Sequence, residues 1–236
     1  GCVIETTPES PARITERLIV LLQDPQPDTR RTAALSLGRI SEPQGISALV
    51  SALSDPDEEV RQWSAWALGN LANSLPREAL VGLVQHVADP SGAVREAVVL
   101  ALSQTQISEE VMQVLEEAYT ISTPATQLTI IQALAQFEFP FSYTLFIQAL
   151  KSQNPLIRQT AIAGLGELGD SRGLLVMRTY LLQDSNVGVR SEAAFRLGKL
   201  GGPSDIPALR QARETDPTPN VHFWATWSLN QIGEET

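Results

Sequence analysis

The sequence predicts an all-α protein, a right-handed α-solenoid of about seven stacked helical hairpins. Three observations lead there: a unit that recurs through the chain, apolar residues at helical offsets within each unit, and turn residues that divide each unit in two. Aligned on one position, the units place Arg30, Arg61, Arg95, Gln127, Arg158, Arg190 and His222 at spacings of 31, 34, 32, 31, 32 and 32 residues. Seven residues beyond each anchor stands Leu37, Leu68, Leu102, Leu134, Leu165, Leu197 or Leu229. Small residues such as Ala33, Ala161, Ala193 and Ala225 follow the anchor by three. Offsets of three, four and seven mark one face of a helix.

Each anchor helix is preceded by a second amphipathic run. In chain order these are Ile14 to Leu22, Ile46 to Leu53, Ala79 to Val87, Val111 to Ala118, Tyr143 to Leu150 and Leu174 to Leu182. Turn signals separate the two runs, as in Asp24-Pro25-Gln26-Pro27-Asp28, Asp55-Pro56-Asp57, Asp89-Pro90-Ser91-Gly92, Asn154-Pro155 and Asp216-Pro217-Thr218-Pro219. Proline stops one helix, and a capping Asp, Ser, Thr or Asn starts the next. No stretch alternates with period two, and no hairpin of this length can bury its apolar face without neighbours.

Asp24, Asp55, Asp89, Asp184 and Asp216 each stand six residues before an anchor, and Leu-Gly follows it in several units. This Asp, Arg, Ala and Leu-Gly pattern resembles the HEAT-like repeat class also found in phycobilisome lyases. The resemblance spans about residues 12–233, and it implies that the Asp and Arg groups form a structural ladder between successive hairpins. In the fourth unit the pattern lapses: Gln127 replaces Arg, Ile121 stands where Asp is expected, and Ser152 holds that place in the next unit. The lapse adjoins the aromatic run Phe137-Glu138-Phe139-Pro140-Phe141. We therefore divide the chain into an N-terminal tether, 1–11, and a solenoid, 12–236, with an irregular fourth repeat near 105–140.

With 43% apolar and 19% charged residues, the chain can bury a core. Twenty-seven acidic against seventeen basic residues give a formal charge of −10, which repels phosphate backbones and anionic headgroups. Between Glu96 and Leu150 there is no Lys, Arg or His. Nucleic acid is thus not an expected partner. The lone cysteine, Cys2, cannot form an internal disulfide or a cysteine zinc cluster. Gly1-Cys2 followed by Val-Ile-Glu-Thr-Thr-Pro-Glu-Ser-Pro reads in two ways. It resembles a bacterial lipoprotein junction with a polar tether, which makes Cys2 a lipidation site, or it is an arbitrary cysteine behind an added residue. No apolar run reaches the roughly 18 residues that span a bilayer, so membrane attachment is expected only through a lipid or a partner.

Candidates for catalysis are few. His86 and His222 are far apart and belong to no metal-binding pair, so both read as structural or surface residues. Gly164-Leu165-Gly166-Glu167-Leu168-Gly169 has the spacing of a dinucleotide fingerprint but lies at the end of a helix, at the same repeat position as Leu37-Gly38, Leu68-Gly69 and Leu197-Gly198. It is read as helix termination. No catalytic residue, metal site or cofactor is expected.

A partner surface is better marked. Positions two and five after the anchor share one stripe of the second helix, and they hold all four tryptophans: Trp63 and Trp66 in unit two, Trp224 and Trp227 in unit seven, with Phe195 in unit six. Arg31, Gln62, Asn70, Glu192 and Arg196 are expected to form a polar rim, on what the fold resemblance makes the concave wall. Tryptophan is enriched at interaction hot spots, and the other reading of these rings is core packing or capping of the last repeat. The expectation is a non-catalytic protein–protein interaction scaffold, a lipid-anchored assembly or stabilisation factor on a periplasmic or lumenal membrane surface if Cys2 is lipidated, and cytoplasmic otherwise. The resemblance also implies an alternative, a phycobilisome lyase-like protein that handles a bilin.

Overall fold

The structure, a computed structural model, describes residues 8–105 and 108–233. Among these residues fourteen α-helices follow one another without a strand: α1 (Pro11–Leu21), α2 (Pro27–Ile40), α3 (Ile46–Ala52), α4 (Glu58–Asn70), α5 (Arg77–Gln85), α6 (Gly92–Ser103), α7 (Ser108–Ile121), α8 (Pro124–Gln136), α9 (Tyr143–Ala149), α10 (Pro155–Leu168), α11 (Arg172–Gln183), α12 (Val187–Leu200), α13 (Ile206–Thr215) and α14 (Pro219–Ile232). Every even-numbered helix carries one of the seven anchors, so the repeat read from the sequence is the hairpin that folds. Proline occupies the first helical turn of α2, α8, α10 and α14, where its missing N–H removes no helical bond. Asp57, Asn154 and Asn186 cap α4, α10 and α12 through their side chains.

The chain forms two compact units, one through residue 118 and one from residue 119. The division falls inside α7, in the repeat whose sequence departs from the pattern. Within the first unit α2, α4 and α6 pack side by side; within the second, α8, α10, α12 and α14 do the same. The anchor-plus-seven leucines Leu37, Leu68, Leu102, Leu134, Leu165, Leu197 and Leu229 are all buried. Burying a leucine side chain stabilises by about 1.5–3 kcal/mol, so each repeat contributes to the core through this position.

The expected ladder is present. Arg30 donates from Nε and Nη2 to Asp55 at 2.8 and 3.0 Å. Arg61 grips Asp89 (3.0 and 3.0 Å), Arg158 grips Asp184 (2.8 and 3.0 Å) and Arg190 grips Asp216 (2.7 and 3.4 Å) in the same manner. Each arginine also ties down its own inter-helix loop, as Arg30 does through the Asp24 carbonyl at 2.9 Å. Each aspartate in turn accepts the amide two residues on, as Asp55 accepts from Asp57 N–H at 2.9 Å. One carboxylate therefore fixes both the turn of its own hairpin and the spacing to the previous one. Where the sequence lapses, so does the rung: Gln127 donates to the Tyr119 carbonyl at 2.9 Å, and the Ser152 hydroxyl supplies the turn contact to Asn154 N–H at 3.1 Å in place of a carboxylate. His222 reaches the Asp216 carbonyl, and His86 lies 3.2 Å from Asp89, so both histidines belong to the ladder.

One expectation is corrected. Gly38, Gly69, Gly166 and Gly198 do not terminate their helices; α2, α10 and α12 each run two residues further, and α4 runs one. They are points of close approach. A Cβ on Gly38 would lie 2.5 Å from Trp66 and 2.9 Å from the Ala67 backbone, and one on Gly198 would lie 2.3 to 2.7 Å from Ser228. Only Gly169, in the left-handed region at φ 64°, ends its helix as read.

Candidate functional site

The aromatic stripe folds into two separate groups, one in each unit. In the second, Phe195 of α12 and Trp224 and Trp227 of α14 form one cluster. Ring centroids lie 5.0 Å apart for Phe195–Trp224, 5.5 Å for Phe195–Trp227 and 5.6 Å for Trp224–Trp227. Phe223, which the sequence reading passed over, adds an edge contact to Trp224 at 5.0 Å and is 60% exposed. Its signal was available: the position after the anchor is polar in units one and two, Arg31 and Gln62, and aromatic here.

These rings border a cleft of about 340 Å³ between α10, α12 and α14, lined by Gln159, Ser191, Glu192, Phe195, Arg196 and Trp224 among others. Four of the residues expected to bind a partner, Glu192, Phe195, Arg196 and Trp224, meet there. Arg196 crosses above Gly166, where an added Cβ would lie 2.4 Å from the arginine Cδ. Its Nε donates to Glu192 at 2.8 Å, its Nη1 pairs with Glu167, and its guanidinium stands 5.2 Å from the Phe195 ring centre. The polar wall is thereby held rigid. Asn220 donates to Ser191 at 3.0 Å across the floor, and Ser228 donates to the Ala194 carbonyl at 2.6 Å.

In the first unit Trp63 and Trp66 pack edge to face at 5.7 Å, with Trp66 also against Gly38. Both indoles are half-buried. Asn70, expected at the rim, donates to the Gly38 carbonyl at 3.1 Å and so fastens α4 to α2. Arg31 is likewise engaged, with Nε and Nη2 on Asp57 at 2.9 and 2.6 Å. That hydrogen-bonded guanidinium, with the cap bonds to the α4 amides, holds the Asp57 carboxyl down to about 2 from an ordinary 3.8. The depressed carboxyl contributes stability that is present above pH 3.8 and is lost as pH falls toward 2. Asp57→Asn should cost about 1–2 kcal/mol at neutral pH, and should leave a shallower loss of stability between pH 4 and 2 when unfolding is followed by circular dichroism. An acid limb identical to that of the parent would contradict this account. Gln62 is half-buried on the same helix, and Cys2 lies outside the described residues.

A second concavity was not legible in the sequence. Between α3 and α5 an apolar groove of about 580 Å³ is lined by Pro43, Ile46, Val50, Pro76, Glu78 and Ala79 with neighbouring serines. Among the described residues no helix is long and apolar enough to cross a membrane.

Helical hairpins joined by an arginine–aspartate ladder, with aromatic clusters on the even-numbered helices, define an α-helical repeat protein. The chain belongs to the HEAT repeats family, whose model matches residues 14–86 and 143–230 and so passes over the second helix of the third repeat and the irregular fourth repeat. It is 28% identical over 192 residues to a HEAT repeat-containing taxis protein of Halobacterium salinarum, covering 80% of this chain. The chain spans about a third of that relative's length, 36%. Among solved structures it is similar to the phycocyanin lyase complex of CpcE and CpcF from a Nostoc species (20% identity, 98% of this chain and 97% of that one, TM-score 0.41). It is also similar to a designed armadillo repeat protein in complex with a (KR)4 peptide (18% identity, 92% and 98%, TM-score 0.40).

Proposed function

We propose that this HEAT-repeat chain is a non-catalytic scaffold that binds a protein partner along its even-numbered helices, the surface expected to be the concave wall, and serves the assembly or stabilisation of a larger complex. The observation that supports this reading is the cleft between α10, α12 and α14, where Phe195 and Trp224 form apolar walls beside a fixed polar one. Aromatic anchors beside a rigid polar rim suit a protein segment, because large area is buried at little cost in side-chain entropy. If Cys2 carries a lipid, the scaffold works on a periplasmic or lumenal membrane surface, and otherwise in the cytoplasm. The relative involved in taxis is compatible with a role in holding a signalling assembly together.

We favour this over bilin handling because Arg31 and Arg196, the cations beside the aromatic groups, are both engaged by carboxylates, and so are poorly placed to receive propionates. Affinity capture from the native cell with Phe195→Ala/Trp224→Ala is the test. The double variant should retain helical circular dichroism and lose the partner that the parent captures. A fully folded variant that captures the same partner equally well would refute the cleft's role, and capture of a bilin by the parent would favour the alternative.

A further inference from the structure

The chain's negative charge is unevenly divided. Residues 1–118 hold seventeen Asp and Glu against eight Arg and no Lys, whereas residues 119–236 hold ten against nine basic residues. In the first unit the arginines on the even helices are largely engaged internally: Arg30 and Arg61 form ladder rungs. Arg31 alone serves three carboxylates, Asp57 at 2.6 Å, Asp28 at 3.1 Å and Glu59 at 3.3 Å. That spot is left short of two positive charges. Asp28 and Glu59 face solvent, with side chains 92% and 52% exposed.

The under-neutralised cluster adjoins the tryptophan pair. On α4, Glu59, Trp63, Trp66 and Asn70 succeed one another by four, three and four residues and share one stripe. At the position of Trp63 the flanking helices carry the small residues Thr32 on α2 and Ala97 on α6, and the indole is half-buried. Exposed Glu96 follows on α6, next to Ala97.

We propose that this face of α2, α4 and α6 docks an extended protein segment rich in lysine or arginine, a proposal that rests on the even helices being the binding surface. Ammonium or guanidinium groups would lie against the Trp63 and Trp66 rings, whose faces attract cations, and add counter-charge near exposed Glu96 and near Asp28 and Glu59, which share the single guanidinium of Arg31 with Asp57. An acidic segment is repelled here. A wholly apolar one would strip water from Glu59 and Asp28 without replacing it, which is costly. The field of the acidic unit also steers a cationic segment inward and makes the encounter salt-dependent.

The test uses the whole chain and a short capped peptide of alternating lysine and glycine, with its glutamate counterpart as control. Indole N–H resonances are followed by NMR and assigned with conservative Trp→Phe variants. Saturable shifts of the Trp63 and Trp66 signals with the lysine peptide alone, weakened by added salt, are expected. Asp28→Asn/Glu59→Gln, which keeps the Arg31–Asp57 pair and hence the fold, should weaken binding roughly fivefold. Equal response to both peptides, shifts confined to Trp224 and Trp227, unchanged affinity in the double variant, or no binding would each overturn the proposal. Loss of the native partner with Phe195→Ala/Trp224→Ala is independent of these outcomes, so the scaffold reading and this one fail separately.

Discussion

Replacing Asp89 with alanine is expected to remove about 3–5 kcal/mol of stability, centred on α4 and α6. The Asp89 side chain is only 3% exposed, and it carries four contacts at once: two from Arg61, one from Ser91 N–H at 2.9 Å and one to His86 at 3.2 Å. Burial pushes its carboxyl up, yet these partners together hold it below the ordinary carboxylate value, so the charged form is favoured in the folded chain. Truncation leaves Arg61, itself mostly buried, with only the Asp55 and Pro56 carbonyls at 3.0 and 3.3 Å. An uncompensated buried charge is the larger part of the cost. The control is Asp24→Ala: as the first aspartate of the series, its side chain holds only Gln26 N–H at 2.8 Å, and losing one partly exposed bond costs about 1 kcal/mol. Because repeat arrays open locally, the informative measurement is amide hydrogen exchange across α4 and α6, supported by urea unfolding. Equal protection in the two variants would mean that the ladder orients the hairpins without stabilising them.

That rung was legible because its two halves recur in phase. An aspartate six residues before five of the seven anchors can be found by alignment alone, and the lapse at Gln127 and Ser152 is visible for the same reason. The tryptophan positions were legible too, since the offset of three between Trp63 and Trp66, and between Trp224 and Trp227, places each pair on one side of a helix. What such a reading lacks is the neighbour. Arg31 and Arg196 look like free rim cations in the sequence, but their carboxylates, Asp57 and Glu167, stand 26 and 29 residues away on adjacent repeats. Only the stacking of helices brings them together. Likewise the groove between α3 and α5 belongs to neither helix alone.

The glycines make the same point and carry the second large effect. Leu-Gly near the end of an amphipathic run has the appearance of a helix stop, because the residue that demands glycine lies on the next repeat. Gly198→Val is expected to cost roughly 3 kcal/mol. The first added carbon would stand 2.3 Å from Ser228 Oγ and 2.7 Å from its Cα; a hydroxyl can turn aside, but backbone can yield only if α12 and α14 separate. Ser228 is buried and bonded to the Ala194 carbonyl, so the seam has no slack. Gly198→Ala meets the same contact but gains about 1 kcal/mol of helix propensity, and should be milder. Gly202→Ala is the neutral comparison, with extended backbone and nothing within 4 Å of the new carbon. The consequence extends to the cleft, since Phe195 and Trp224 sit on the same two helices at a centroid distance of 5.0 Å. Forcing the helices apart should therefore alter near-ultraviolet circular dichroism from the aromatic cluster and lower partner affinity, alongside the fall in melting temperature. A Gly198→Val protein as stable as the parent, with its aromatic signal unchanged, would show that the close approach of α12 and α14 is dispensable to both fold and site.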